Sequence, residues 1–442
     1  MNGHRMSGHN DLLVTGAAVH GGESADVLVR DGRVVAVGPD ATGAATETDL
    51  ERVDADGLVL LPGFVDLHTH LREPGREDAE TVRSGSAAAA AGGFTAVLAM
   101  ANTSPVTDTG EAAEHVLDLG VAAGLADVRP VGAVTKGLEG AELAELGMMH
   151  RSRARVRVFS DDGRCVHDAR VMRRALEYVR AFDGVVSQHA QDPALAGPGA
   201  CCHEGEVSGR LGLTGWPAVA ESSIIARDAE LALHTGSRVH IAHVSTAEGV
   251  EAVRWAKRRG ARITAEVTPH HLLLTTDLLG SYDPVFKVNP PLRPQEDVDA
   301  LREALVDGTI DAVATDHAPH ARHDKEHAFP DAAFGMLGLE TAFSVVHDVM
   351  IASGRMDWAL LTERMSTAPA RIAGLAEHGQ HIRPGSPANL VLVDPRAEVT
   401  VDPGASLSLS RNTPFAGRTL TGRVRTTILN GRITVADGEV RP

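Results

Sequence analysis

Eight short apolar runs rich in β-branched residues, most of them followed by a polar loop and a helical stretch, set the tightest limit on how this 442-residue chain folds. The runs occupy residues 61–70, 94–100, 128–135, 156–160, 185–189, 239–243, 262–268 and 311–315. Helical patterns lie between most of them, at 80–91, 169–182, 217–235, 247–259 and 296–306. Strands alternating with helices call for a parallel sheet, and eight is the number that closes a (β/α)8 TIM barrel.

The flanks differ. Residues 12–38 and 385–440 show short strand patterns and glycine turns such as Asp31-Gly32 and Asn430-Gly431. The chain is thus expected to be α/β, a barrel over 61–379 with a small β-sandwich domain formed from both termini, 1–60 plus 380–442. Aromatics are only 3% of the chain, so Leu, Val, Ile and Ala must fill the core. A formal charge of −17 argues against nucleic acid or an anionic membrane as partner. If the substrate is an anion, the site must be locally basic inside an acidic envelope. Residues 1–10 are polar, which predicts no signal peptide, and the apolar stretch 87–101 is broken by Gly92-Gly93. Cys165, Cys201 and Cys202 build neither a disulfide framework nor a C-x-x-C site. These features point to the cytoplasm.

In such a barrel, chemistry sits at the C-terminal strand ends. The first run ends in His68-Thr69-His70, and side chains at i and i+2 of a strand share a face. Arg72 follows on that face if the backbone stays extended. With 22 His, one H-x-H is expected about once by chance, so the pair gains meaning from its company. The fourth run ends in Asp161-Asp162-Gly163, the fifth in His189, the sixth in His243 and the eighth in Asp316-His317. Four imidazoles and two carboxylate positions at one mouth suit a pair of zinc-like ions. Such a pair holds a hydroxide ready near neutral pH and polarises a carbonyl, which is chemistry for hydrolysing an amide or running the reaction backwards. Asp316, beside that hydroxide, is the candidate acid/base.

Several motifs together carry a resemblance. They are His68-Thr69-His70-Leu71-Arg72-Glu73-Pro74-Gly75, Ala90-Ala91-Gly92-Gly93-Phe94-Thr95, Asn102-Thr103, Phe159-Ser160-Asp161-Asp162-Gly163, Glu266-Val267-Thr268-Pro269-His270-His271-Leu272, Lys287-Val288-Asn289-Pro290-Pro291-Leu292-Arg293, Thr315-Asp316-His317-Ala318-Pro319-His320 and Phe334-Gly335-Met336-Leu337-Gly338-Leu339-Glu340-Thr341. In this order, from about residue 12 to about 435, the sequence resembles the bacterial class I dihydroorotases of the amidohydrolase superfamily. The resemblance implies zinc-dependent, reversible closure of N-carbamoyl-L-aspartate to L-dihydroorotate, the third step of pyrimidine synthesis. It implies two zinc ions per subunit. His68, His70 and Asp316 would hold one and His189 and His243 the other, with a bridge from Asp161-Asp162, Asp162 being favoured because it precedes the glycine. Arg72, Asn102 and His320 would grip the substrate carboxylate, and His70 would also touch substrate. Asn289 and the backbone at Phe334-Gly335 would close over the ring. A homodimer is expected, and association with aspartate transcarbamoylase is open. The polar segment 321–333 is read as a lid. Lys136 is no ligand in this reading, and His270 and His271 are structural.

Two alternatives stand beside this one. Hydantoinases and allantoinases typically bridge their metals with a carboxylated lysine at the end of strand four, where this sequence has Phe159-Ser160-Asp161-Asp162. A non-catalytic assembly partner of aspartate transcarbamoylase would have lost ligands, and every ligand position is filled here.

Overall fold

The computed structural model describes residues 11–45 and 50–441, so the expectation drawn from residues 1–10 lies outside the described residues. The chain opens with β1 (Leu12–Val19), β2 (Ser24–Arg30) and β3 (Arg33–Val37), each antiparallel to the next. The β2–β3 turn is Asp31-Gly32, with φ 47° and 74°; two left-handed residues match the twist of a tight hairpin. β4 (Glu51–Asp54) and β5 (Val59–Pro62) both run parallel to β1.

The apolar run through Leu61 reads in sequence as one buried strand, but the structure divides it at Gly63. On one side Gly63 N–H donates to Asn389 O (2.8 Å), and on the other Phe64 N–H donates to Gly93 O (2.9 Å). A Cβ at position 63 would lie 2.2 Å from Thr95 Cγ2, so the crossing from one sheet to the next needs glycine.

Beyond that crossing, β6 (Phe64–Thr69), β7 (Phe94–Ala99) and β8 (Asp127–Pro130) pair in parallel. β9 (Val158–Phe159) and β10 (Val185–Gln188) start a second parallel group. A two-stranded excursion, β11 (Cys202–His203) with β12 (Gly215–Trp216), follows. β13 (Arg238–Ile241), β14 (Ile263–Val267) and β15 (Ala312–Val313) complete the group in the order β15-β14-β13-β10-β9. Parallel bridges from Gly132 to Phe159 and from Thr69 to His317 join the two groups into a closed eight-stranded barrel. Helices Val82–Ala91, Ala169–Val179, Val219–Thr235, Ala247–Arg258 and Gln295–Asp307 stand where the periodicity predicts them. Their N-termini show why: Thr81 forms a capping box with Ser84, and Asp168 and Thr246 accept backbone N–H groups of the first turn.

β16 (Leu390–Thr400), β17 (Thr419–Leu429), β18 (Arg432–Ala436) and β19 (Glu439–Val440) return to the first sheet, where β16 lies antiparallel to β5. Strands from both ends of the sequence therefore share one sheet, ordered β19-β18-β17-β16-β5-β1-β2-β3 with β4 on β1. Its apolar core includes Leu12, Val14, Val27, Leu60, Leu392 and Ile428. Aromatics are scarce, and Phe64, Phe94 and Phe343 cluster with ring centroids 5.7 and 5.8 Å apart. Such pairs add about 1 kcal/mol each beyond the area they bury. Among the described residues no helix is long and apolar enough to cross a membrane.

Candidate active site

At the C-terminal rim the backbone leaves the strand conformation, which is why β9 and β15 are shorter than the runs that encode them. His243 and Asp316 have φ of 34° and 47°, rarely adopted by residues with a Cβ, and the surrounding packing holds them there. Arg72 also has positive φ, 59°. β6 ends at Thr69, so the condition under which strand alternation would carry Arg72 onto the face of the histidines, a backbone that stays extended, is not met. A left-handed turn delivers it instead.

His68, His70, Asp162, His189, His243 and Asp316 meet at one point, none of them more than 5% exposed. Asp162 lies at the centre. Its Oδ1 is 3.2 Å from His68 Nε2, 3.2 Å from His243 Nε2 and 3.4 Å from His189 Nδ1, and its Oδ2 is 3.3 Å from His70 Nε2. Asp316 Oδ1 closes the other side, 3.2 Å from His70 Nε2 and 3.5 Å from His68 Nε2. Asp161 turns away: its Oδ1 accepts from Val134 N–H (2.8 Å) and Thr135 N–H (3.0 Å), and its Oδ2 accepts from the Thr135 hydroxyl.

Acceptors behind the imidazoles fix their tautomers. Glu266 Oε1 accepts from His68 Nδ1–H (3.0 Å), and its Oε2 accepts from His240 Nε2–H (2.9 Å). Burial opposes ionisation of Glu266, yet these two bonds hold its carboxyl at about 2. Asn102 Oδ1 accepts from His70 Nδ1–H (2.9 Å), and Gln191 Oε1 from His189 Nε2–H (2.8 Å). In the neutral tautomers that these bonds select, the inner nitrogens His68 Nε2, His70 Nε2 and His189 Nδ1 carry the lone pair. His68 Nε2 is buried without a hydrogen-bond partner, and His189 Nδ1 sits 3.0 Å from His243 Nε2. Imidazole nitrogens and carboxylate oxygens converging this closely form a donor set for cations once the imidazoles give up their inner protons. Two triads have ligand atoms mutually within 4.8 Å: His68, His70, Asp316 and His68, Asp162, His243. Burial also opposes ionisation of Asp162 and Asp316, and the imidazoles around them hold both below the usual carboxylate range while His68 and His189 are pushed upward. Metal binding at such a site displaces the imidazole protons.

Arg72 lies half-buried beside this cluster. Its Nε donates to Pro319 O (3.0 Å), and its Nη2 lies 3.4 Å from His320 Nε2. Burial lowers its pKa only to about 10, so it remains a cation. His320 is pushed down to about 2 by burial and Arg72; it is neutral and donates to Phe334 O (2.6 Å). Asn102 keeps its NH2 group within 3.4 Å of Asp162 O. Gly335, at φ 131°, sits where a Cβ would lie 2.8 Å from His320 Nε2, and its N–H donates to Lys287 O (2.9 Å). Asn289 stands on the other side, its Nδ2 donating to Gln191 Oε1 (2.8 Å). The segment 321–333 is packed down: Phe329 and Ala332 are buried, and Lys325 Nζ donates to Ala333 O (2.8 Å), Gly335 O (3.0 Å) and Lys287 O (3.3 Å). Lys136 pairs with exposed Glu142, away from the cluster. His271 bridges Thr268 Oγ1 and Pro291 O, and His270 is buried beside it.

Sequence reasoning missed Glu266, His240, Gln191 and Asp66. Asp66 accepts from His68 N–H (3.1 Å) and Thr315 N–H (3.0 Å) and so stitches the first barrel strand to the last. Glu266 had a signal, a carboxylate on the barrel-facing side of an otherwise apolar run. Gln191 had none.

The same architecture occurs in solved cyclic-amide hydrolases. L-hydantoinase (dihydropyrimidinase) from Arthrobacter aurescens matches with a TM-score of 0.86 and 27% identity over 98% of both chains. Dihydropyrimidinase from Brevibacillus agri, at 23% identity and a TM-score of 0.83 over 97% of this chain and 96% of that one, shares the fold. Fold and relatives together define an amidohydrolase-type barrel enzyme acting on cyclic amides, with a β-sandwich contributed by both termini. A family model described as Dihydro-orotase-like matches residues 57–249. Dihydroorotase from Streptomyces coelicolor is 61% identical over 429 residues, covering 97% of this chain and 99% of that protein. Dihydroorotase from Mycobacterium tuberculosis is 54% identical over 431 residues, covering 97% and 99%. The chain belongs to the dihydroorotase family.

Proposed function

We propose that the protein closes N-carbamoyl-L-aspartate to L-dihydroorotate with release of water, and reopens it, at a centre taking two zinc ions, in the third step of de novo pyrimidine (UMP) synthesis. His68, His70 and Asp316 would hold one ion, His189 and His243 the other, and Asp162 both. The observation that carries this reading is the Asp162 carboxylate with four imidazole nitrogens within 3.4 Å and Asp316 across from it. When bound, such ions polarise a carbonyl and lower the pKa of water from about 16 to about 7.

The chain's own residues do the rest. In ring opening, Asp316 takes the proton of the attacking water and hands it to the ring nitrogen as the C–N bond breaks; in closure it moves the proton back. The Arg72 guanidinium, the Asn102 NH2 group and His320 receive the substrate carboxylate, while His70, Asn289, Phe334 and Gly335 form the wall around the ring. Arg72 supplies positive charge where a dianion must enter a protein of net charge −17.

We further propose a division into a small β domain and a barrel as the sequence suggests (1–60 plus 380–442, and 61–379), but with the first joint moved to Gly63, because Leu61 and Pro62 still belong to β5. The enzyme would work in the cytoplasm as a homodimer, with neither nucleic acid nor membrane as partner, alone or docked on aspartate transcarbamoylase.

Purified protein should open dihydroorotate to carbamoyl aspartate, lose that activity to a chelator and regain it with zinc. Opening of dihydrouracil or allantoin with no action on dihydroorotate would overturn the substrate assignment.

A further inference from the structure

Gln191 belongs to no motif singled out in the sequence, yet it touches both halves of the site. Its Oε1 accepts two hydrogen bonds, from His189 Nε2–H and from Asn289 Nδ2–H, each 2.8 Å. Both contacts have a consequence at the far end of the donor. An imidazole carrying its proton on Nε2 has a lone pair on Nδ1, and His189 Nδ1 faces Asp162 Oδ1 at 3.4 Å. An asparagine giving its NH2 group to Gln191 has its carbonyl oxygen directed elsewhere. Asn289 Oδ1 is buried and has no partner among the described residues. Gln191 and Asn289 also line a cavity of about 330 Å³ whose wall includes Gly163, the residue after Asp162.

A buried carbonyl oxygen without a donor is costly, and such groups are normally paired. The chemistry that satisfies Asn289 Oδ1 is an N–H donor, and the proposed substrate has amide N–H groups. Resting on the proposed function, we infer that Gln191 is a positioning residue: one amide oxygen sets the tautomer of His189 toward the metal and the amide orientation of Asn289 toward a substrate N–H. Metal affinity and ring recognition are thereby coupled through one side chain that touches neither.

The test compares Gln191→Leu, which removes the acceptor, with Gln191→Glu, whose carboxylate keeps it for both donors. Zinc affinity is read by competition with a chromophoric chelator, kcat and KM with dihydroorotate, and folding from the Tm of metal-free protein. Gln191→Leu should weaken zinc binding 10- to 100-fold, the usual effect of losing the partner behind a ligating histidine. It should raise KM about 10-fold while the metal-free Tm stays near wild type. Gln191→Glu should keep zinc affinity and KM within about threefold of wild type. In Asn289→Ala, where no amide remains to orient, adding Gln191→Leu should leave KM nearly unchanged yet still weaken zinc. Wild-type zinc affinity and KM in Gln191→Leu, or equal damage in Gln191→Glu, would overturn the inference. If the unmodified protein neither bound zinc nor opened dihydroorotate, the proposed function would fall, and this inference with it.

Discussion

The carboxylate of Glu266 is the most informative group to perturb, because it lies behind the site rather than in it. It accepts from His68 Nδ1–H at 3.0 Å and His240 Nε2–H at 2.9 Å, fully buried. Its carboxyl is held at about 2 against an ordinary 4.5, about 3 kcal/mol net after the interactions with His240 and His68 have offset the cost of burial. Glu266→Gln removes the charge and one of the two acceptors. The oxygen that remains serves His68, while His240 shifts its proton to Nδ1 and gives it to Thr264 Oγ1, 2.8 Å away. The loss is then mainly the difference between a charged and a neutral acceptor on His68, about 1–2 kcal/mol. Zinc affinity should fall about 5- to 30-fold by chelator competition, with kcat at saturating zinc within about tenfold of wild type. The pH dependence has a definite sign. A depressed carboxyl contributes its full stability above its unfolded value near 4.5 and loses it as pH falls toward 2. The wild type should therefore lose stability across that window more steeply than Glu266→Gln. Glu266→Gln binding zinc as tightly as wild type, or an unchanged acid profile, would refute the assigned role.

Other substitutions separate the remaining groups. Asp316→Asn should retain zinc at the partner ligands but lower kcat by at least about 10², and a near-normal rate would remove Asp316 from proton transfer. Arg72→Met should raise KM for dihydroorotate about 10- to 100-fold with little change in kcat, since the carboxylate it holds changes little along the reaction. Lys325→Met leaves three carbonyl groups without their shared donor, so amide hydrogen exchange across 321–335 should accelerate and KM rise. Asp162→Asn should abolish zinc binding whereas Asp161→Asn should keep it at about 1 kcal/mol of stability; the reverse pattern would exchange their roles.

The barrel was legible because its strands are apolar runs with helical patterns between most of them, and histidines or aspartates at five strand ends could be aligned from the sequence; the helix Gly110–Ala123, between the second and third strands, was not among those patterns. What was hidden is hidden for physical reasons. Asp161 and Asp162 are adjacent carboxylates at one strand end, and only the Val134 and Thr135 N–H groups, from the neighbouring strand end, capture the first and leave the second free. Arg72 arrives by a left-handed turn that strand periodicity cannot express. The break at Gly63 depends on Thr95, thirty-odd positions away, crowding the space a Cβ would need. Glu266 and His240 satisfy each other inside the barrel, and a strand pattern cannot reveal a pairing between two runs.

The acceptors behind the histidines also answer how so acidic a protein takes a dianionic substrate. Backing every imidazole with a carboxylate would strengthen each ligand but add negative charge at the place where the substrate must bind. Here His68, common to both ligand triads, is backed by a carboxylate, Glu266, whereas His70 and His189 are backed by the neutral amides of Asn102 and Gln191. Three carboxylates, Asp162 and Asp316 in the site and Glu266 behind His68, are then set against the proposed pair of divalent ions. With no hydroxide bound, that leaves the centre with one net positive charge, to which Arg72 adds a second. Two positive charges inside a dry pocket match the two carboxylates of the substrate, while the acidic groups that lie on the surface are screened by salt within about 10 Å. Neutral acceptors behind two of the ligands are thus part of substrate recognition as well as of metal binding.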